Sequence, residues 1–377
     1  MKIKSGPEYL YSFFELSTKS WFLGFATYST QNPRTVKIAA GDFGRLDAEI
    51  LKAKRRFGLA ESAEVVSAYE AGQDGFWIHR ALLARGIHNL VLDSSSLPVD
   101  RSARRAKTDR LDAISGVRML VEYSRQGGGR LRIVHVPTCE AEDDRRLDRA
   151  RKQVQRERIR LANRMVSLLR TQGIEGLKAG PRFPANLDEI RLWNGEELGR
   201  ELKHELLRDN ARVALADEHL RELNGRQRTR TKEGTGRLAE TTRKLIQLRG
   251  IASTGGSQLS SEFFGTRHFA NRRQLGGATG LVPTPYNTGQ SERNQGISKR
   301  GNKRLRSLLI EYAWGWLRHQ PQSDLSQWYE RKYAHGGKRM RKIGIVAMAR
   351  KLALELWRYV EHGVLPEGAL LKDKVRI

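Results

Sequence analysis

YLYSFFELSTKSWFLGFATYSTQNPRTVKIAA, residues 9–40, decides the fold. Three runs within it, YLYSFFELS, KSWFLGFAT and RTVKIAA, are rich in aromatic and β-branched residues and are separated by polar breaks. Such side chains pack well on a pleated surface, so the runs read as a three-strand meander. Asp42 stands where a helix N-cap belongs, and Leu46, Ile50, Leu51 and Ala53 follow at helical spacing. AEVVSAYE then reads as a short apolar strand, Asp74 to Arg85 as a helix, HNLVLDSS as another strand and Thr108 to Tyr123 as a further helix. A meander followed by β-α-β-α predicts an α/β layer fold with a mixed sheet, and Gly127, Gly128 and Gly129 mark a break near its end.

Working outward, residues 139–172 read as one long charged helix in which Leu147, Val154, Leu161 and Leu168 recur every seven residues. That spacing predicts a coiled-coil arm, with one of the two expected apolar rows missing. GIEGLKAGPRFPANL, residues 173–187, reads as a linker, and Leu206, Val213 and Leu220 are again seven apart in a second helix. From Lys244 the pattern is helical, interrupted by an irregular loop between Gly276 and Gly301. Leu305, Leu308, Leu309, Tyr312 and Trp316 form one apolar stripe, and Val346, Ala349, Leu352, Ala353 and Leu356 another. Trp314, Trp316 and Trp357 are expected to be packing residues. The expected division is an α/β domain over 1–135, a helical coiled-coil arm over 136–235 and a mostly α C-terminal domain over 236–370.

Lysine and arginine outnumber aspartate and glutamate by 69 to 42, a formal charge of +27. Self-repulsion on that scale is relieved by a polyanion, so nucleic-acid phosphate is the first partner to consider. No apolar run approaches the roughly 18 residues of a spanning helix, so no membrane is expected. The N-terminus lacks a signal-peptide core, and a single cysteine, Cys139, excludes an internal disulfide and fits a reducing cytosol. The expected location is the bacterial cytoplasm, at the nucleoid.

Four carboxylates carry the chemistry. Glu15 lies inside an apolar run, and alternation puts Tyr11, Phe13 and Glu15 on one face. Glu70 stands where AEVVSAYE runs out. Asp109 and Asp112 in KTDRLDA are three apart and share a face at a helix start. Strand ends and helix starts of a mixed α/β sheet can converge on one crevice. Four acids there repel one another unless divalent cations neutralise them, and an all-oxygen set suits Mg2+ or Mn2+ rather than zinc. Two such ions can activate a nucleophile and stabilise the leaving oxygen of a phosphodiester.

Cations stand beside these acids. RSARRAK, residues 101–107, brings Arg104, Arg105 and Lys107 next to Asp109, where a polyanionic backbone would have to be accepted. A second basic stretch, Arg293 to Arg306, holds Lys299, Arg300, Lys303, Arg304 and Arg306, with glycines at 296 and 301 that permit close backbone approach.

In this order, FELSTKSW, AYEAGQDGFW, RRAKTDRLDA and EAEDDRRLDRARKQVQRERIRLANR, followed by LIQLRGI, TGLVPTPYNTG, QGISKRGNKRLRSLLIEYAW and IGIVAMARKLALELWRY, resemble the DEDD-type insertion-sequence transposases, a group guided by a bridge RNA. The resemblance covers nearly the whole chain. It implies a RuvC-like, ribonuclease-H-type α/β domain, a coiled-coil arm and a C-terminal transposase domain in a homo-oligomer, a dimer or tetramer. It implies that Glu15, Glu70, Asp109 and Asp112 are the metal-binding acidic tetrad, that DNA is cut and rejoined, and that a guide RNA chooses the target. It also implies a serine nucleophile from the C-terminal domain at a site shared with the tetrad. The chain departs from the pattern twice: Glu15 stands where the family usually has aspartate, and Thr288 where it has serine, with Ser291 three residues on as a substitute. The alternatives are a structure-selective metal-dependent nuclease and a catalytically inactive nucleic-acid-binding copy.

Overall fold

The computed structural model describes residues 9–97, 108–128, 131–288 and 291–373. The chain splits into two compact units, residues 1–136 and 137–377.

In the first unit the meander forms as expected: β1 (Tyr9–Leu16), β2 (Ser20–Ala26) and β3 (Arg34–Ala39) pair antiparallel. Helix α1 (Phe43–Arg56) follows, capped by the Asp42 carboxylate, which accepts the Arg45 amide at 2.8 Å. β4 (Glu64–Glu70) then pairs parallel with β1, and β5 (His88–Leu92), reached through α2 (Trp77–Leu83), pairs parallel with β4. The helix expected over Asp74–Arg85 is thus confined to its apolar centre; residues 74–76 form a turn with Gly75 in the left-handed region. The resulting sheet is mixed, ordered β3-β2-β1-β4-β5.

Alternation decides which side chains face which layer. Leu10, Phe14, Trp21, Leu23 and Phe25 pack with Leu46, Ile50, Ile78 and Leu82 on the α1–α2 side. Tyr11, Phe13, Val66, Ala68 and Leu92 pack on the other side with Val117 and Leu120 of α3 (Asp109–Arg125). α3 lies close on the sheet because two glycines clear its path. A Cβ on Gly24 would come within 2.5 Å of the Ala113 carbonyl, and one on Gly116 within 2.2 Å of the Phe13 ring. The Tyr11 hydroxyl and Ser124 Oγ are 2.8 Å apart. Ser124 beside Tyr11 and Gly116 beside Phe13 mean that α3 runs opposite to β1, so its first turn lies towards the Glu15 end.

The second unit opens with α4 (Cys139–Arg170), the long helix expected from the charge pattern, paired with α6 (Arg200–Glu233). Between them α5 (Phe183–Glu189) begins inside the stretch read as a linker, because Pro184 suits a helix start. The pairs Arg164–Glu205, Arg158–Asp217 and Arg230–Asp148 ascend one helix as they descend the other, so α4 and α6 are antiparallel. Met165, Leu169, Phe183, Leu187, Leu198, Leu206 and Val213 form an apolar cluster where α5 packs. Further along, buried polar residues such as Asp148, Gln227 and Thr231 take the place of the missing apolar row.

Helices α7 (Gly236–Gln247), α8 (Ser253–Leu259), α9 (Arg272–Thr279), α10 (Lys303–His319), α11 (Asp324–Tyr329) and α12 (Lys338–His362) enclose the largest core. Both expected stripes supply it, with Leu305, Leu309, Trp316, Leu352 and Leu356 fully buried. Trp316 Nε1 donates to Ser323 Oγ at 2.9 Å, so the ring is buried with its polar edge satisfied. Trp314, expected to pack, is 49% exposed. The loop expected as irregular between Gly276 and Gly301 contains the end of α9 and an antiparallel hairpin, β6 (Pro283–Thr288) and β7 (Ser291–Ile297).

Candidate functional site

Backbone register brings the four sequence-selected acids of the first unit to one end of the sheet. β1 and β4 are parallel with Phe14 opposite Tyr69, so the next step sets Glu15 beside Glu70 as both strands end. Parallel partners point to the same face, and alternation from Phe13 and Ala68 assigns that face to α3. Thr108 caps α3, its hydroxyl accepting the Leu111 amide, so Asp109 and Asp112 occupy the first turn of the helix at the Glu15 end. Glu15 and Asp112 are half-buried, whereas Glu70 and Asp109 are exposed. Among the described residues, no three histidine, cysteine, aspartate or glutamate side chains are grouped so as to hold a metal ion. The acids therefore share an edge and a face without being drawn into one cluster. Arg104, Arg105 and Lys107 lie outside the described residues.

The second set of expected residues sits around the hairpin of the second unit. Thr288 ends β6 and Ser291 opens β7, opposite each other in register; their side chains lie outside the described part of the structure. The chain then enters the basic loop, whose backbone is tied to the end of α9. The Ser298, Lys299 and Asn302 amides donate to the Val282, Gly280 and Ala278 carbonyls at 2.8, 3.1 and 3.0 Å. Gly280 and Gly301 have φ of +67° and +120°. Added Cβ atoms would lie 2.3 Å from the Arg300 carbonyl and 2.5 Å from the Ala278 carbonyl, respectively. Lys299 itself adopts φ 56°, a conformation non-glycine residues rarely hold. The loop thus presents Lys299, Arg300, Lys303 and Arg304 to solvent from a fixed backbone. Arg306 is half-buried and donates to the Lys299 carbonyl at 3.0 Å, so it braces the loop.

Two acids that the sequence reading passed over organise this unit. Glu262 sits buried in a π-helical turn, Ser260–Phe264. It accepts both arms of the Arg149 guanidinium at 2.7 and 2.9 Å and the Asn302 amide at 3.2 Å. Asn302 Oδ1 in turn accepts the Arg304 and Leu305 amides, capping α10 directly after the basic loop. Glu262 therefore links the arm helix α4 to the base of the loop. The signal was available: an acid inside SSEFF is the same anomaly that singled out Glu15 in SFFEL. The second acid, Asp148, is 3% exposed and accepts from Gln227 Nε2, Arg230 Nη2 and Ser257 Oγ at 2.6, 2.7 and 3.0 Å.

Burial alone would raise the Glu262 pKa, but the hydrogen-bonded Arg149 guanidinium, with Asn302 and Arg145, outweighs it and holds the carboxyl below its ordinary 4.5. A depressed carboxylate pKa gives stability that is present above the unfolded value and lost as pH falls through the folded one. The melting temperature of the wild-type chain is therefore expected to fall as pH is lowered below about 4.5, and that of Glu262→Gln to fall less steeply over the same window. Calorimetry across an acid pH series checks this; parallel curves would remove Glu262 from the acid response.

Residues 242–327, which span α8 to α10 with the hairpin and basic loop, match the family model described as Transposase IS116/IS110/IS902 family. A protein of Sinorhizobium fredii that carries a transposase name, y4rJ, is 38% identical over 370 residues, covering 95% of this chain and 93% of that one. The transposase for insertion sequence element IS1328 of Yersinia enterocolitica is 29% identical over 240 residues, 62% of this chain and 68% of that one. The transposase for IS1111A of Coxiella burnetii is 25% identical over 248 residues, 64% and 63% of the two chains.

Proposed function

Since the chain belongs to the IS116/IS110/IS902 family of transposases, we propose that it excises and inserts a DNA element by metal-dependent strand cleavage and rejoining, with a structured RNA choosing the target. The single observation that carries the cleavage reading is the edge shared by Glu15, Glu70, Asp109 and Asp112 at the ends of β1 and β4 and the start of α3. A sheet in which an antiparallel meander continues into two parallel strands, with a helix crossing one face, supports a ribonuclease-H-type domain of the RuvC kind. An all-carboxylate donor set fits Mg2+ or Mn2+. Four like charges on one edge repel, so closure of the set around cations, with DNA delivering further phosphate oxygens, is the arrangement that relieves them. When bound, such ions supply a polarised nucleophile and a stabilised leaving oxygen.

In this reading the four acids hold the ions. Lys299, Arg300, Lys303 and Arg304 bind backbone phosphate, with Arg104, Arg105 and Lys107 flanking the acids. A hairpin hydroxyl, from Thr288 or Ser291, attacks a phosphodiester: the new O–P bond forms as the bond to the leaving strand breaks, and that strand takes the proton. The phosphoester keeps the energy for rejoining, so no nucleotide cofactor is required. A homo-oligomer in the bacterial cytoplasm completes the proposal. No helix among the described residues is long and apolar enough to cross a membrane.

A covalent adduct tests this. Full-length protein incubated with Mg2+, its co-transcribed RNA and labelled element-end DNA is expected to shift labelled DNA with the protein on a denaturing gel, and Thr288→Ala or Ser291→Ala is expected to abolish the shift. Metal-dependent cutting without an adduct would favour a hydrolytic nuclease. One feature favours an inactive copy as the second reading: threonine stands at 288 where the family has serine, and its methyl crowds the approach. In that case Thr288→Ser is expected to create adduct where the parent forms none.

A further inference from the structure

The longest unpaired run of exposed positive charge lies outside both basic segments described above and beyond the residues that match the family model, which end at 327. The stretch RKYAHGGKRMRK, residues 331–342, contains six lysines and arginines and no acid. Arg331 and Lys332 project from a π-helical turn, Glu330–Ala334, and Lys338, Arg339, Arg341 and Lys342 from the opening of α12. All six are exposed, and none forms an ion pair with a described carboxylate, whereas the arginines along the arm do: Arg149 with Glu262, Arg158 with Asp217, Arg230 with Asp148. The protein thus satisfies its cations internally in one region and leaves them open in another.

The two short segments are held together rigidly. Gly344 lets the Tyr333 ring lie against α12, since an added Cβ would come within 2.3 Å of Tyr333 Cγ. Tyr333 also packs on Trp328 and Tyr329, with ring centroids 5.4 and 6.0 Å away. Beyond Ile343, α12 is buried in the core through Ile345, Met348, Ala349 and Leu352. Four cations in the opening turns of a helix repel each other and oppose its dipole, so they cost the free protein stability. No acid or side-chain cap in the first turn offsets that cost.

We propose that residues 331–342 form a second nucleic-acid surface, one that grips the backbone of duplex DNA without reading sequence. Duplex rather than single-stranded nucleic acid follows from the aromatic inventory. Single strands are held by bases stacking on exposed rings, and the one aromatic residue of this stretch, Tyr333, is turned into the protein. A rigid row of point charges without a stacking platform suits phosphates at fixed spacing. The inference rests on the DNA substrate that family membership implies and is independent of the carboxylate site.

The test is duplex binding by the full chain in EDTA, across a salt series, for the combined variant Lys338→Gln, Arg339→Gln, Arg341→Gln and Lys342→Gln. Each phosphate that is no longer neutralised lowers the slope of log affinity against log salt by about 0.9, so the slope is expected to fall by about 3 and affinity near physiological salt by at least about tenfold. Arg331→Gln with Lys332→Gln, on the neighbouring turn, is expected to lower the slope by about 1 to 2. The melting temperature of the free protein is expected to hold or rise, which separates weakened DNA binding from a damaged fold. Unchanged slope and affinity in both variants would overturn the proposal. So would a loss on single-stranded RNA as large as that on duplex. Because no metal is present, failure here leaves the cleavage reading untouched, and failure of cleavage leaves this measurement interpretable.

Discussion

Asp109→Asn is expected to lower Mg2+-dependent strand cleavage by about a hundredfold to ten-thousandfold while leaving the fold intact. Metal-ion catalysis contributes several kcal/mol of transition-state stabilisation, and each ~1.4 kcal/mol is a factor of ten in rate. Asp109 is exposed in the first turn of α3, so its structural contribution is confined to a favourable charge near a helix N-terminus. Removing that charge costs about 0.3 to 1 kcal/mol. The two magnitudes are far apart, which makes the variant diagnostic: a quench-flow or gel assay of cleavage read beside a thermal melt separates catalysis from stability. Cleavage at the parental rate by a folded Asp109→Asn protein would remove this residue from the site.

The largest stability effect is expected elsewhere, at Asp148. Its carboxylate, on α4, accepts from α6 through Gln227 and Arg230 and from α8 through Ser257, and all of these but Arg230 are essentially buried. Asp148→Ala leaves a buried amide, a hydroxyl and a guanidinium without their acceptor. Breaking a buried charge pair by removing one partner costs about 3 to 5 kcal/mol. For a unit of this size that is a fall in melting temperature of about 10 °C. By contrast, Glu222→Ala, which removes an exposed pair with Arg226, is expected to shift it by less than about 1 kcal/mol. Chemical denaturation of the two variants side by side checks the difference; equal shifts would mean that the Asp148 network contributes no more than a surface pair.

What was legible in the sequence follows the range of the interactions. Strand alternation is local, so the faces of β1 could be read from YLYSFFEL, and the burial of Tyr11 and Phe13 against α3 agrees with it. Caps are local too, and Asp42 and Thr108 start their helices as expected. The hairpin from 283 to 297 escaped because PTPYNT and SERNQGI carry proline, asparagine and glycine in place of alternating β-branched residues. Its pairing is set by a turn and by contact with the end of α9. The polar interior of the arm escaped for another reason: Arg164 finds Asp209 at a separation of 45 residues, and Asp148 finds Ser257 at 109. Spacing within one helix cannot reveal such partners. Glu15 and Glu70 were chosen as chemical anomalies; that they end adjacent parallel strands is supplied by register alone.

The central claim is that these four acids close around divalent cations when DNA is present. Mn2+ titrated into the full chain bound to duplex DNA, with bound ions counted by electron paramagnetic resonance, tests it without relying on turnover. About two ions per chain are expected to bind, and both are expected to be lost in a Glu70→Gln, Asp109→Asn variant that keeps its DNA affinity. Ions retained at the parental level in that variant would contradict the account.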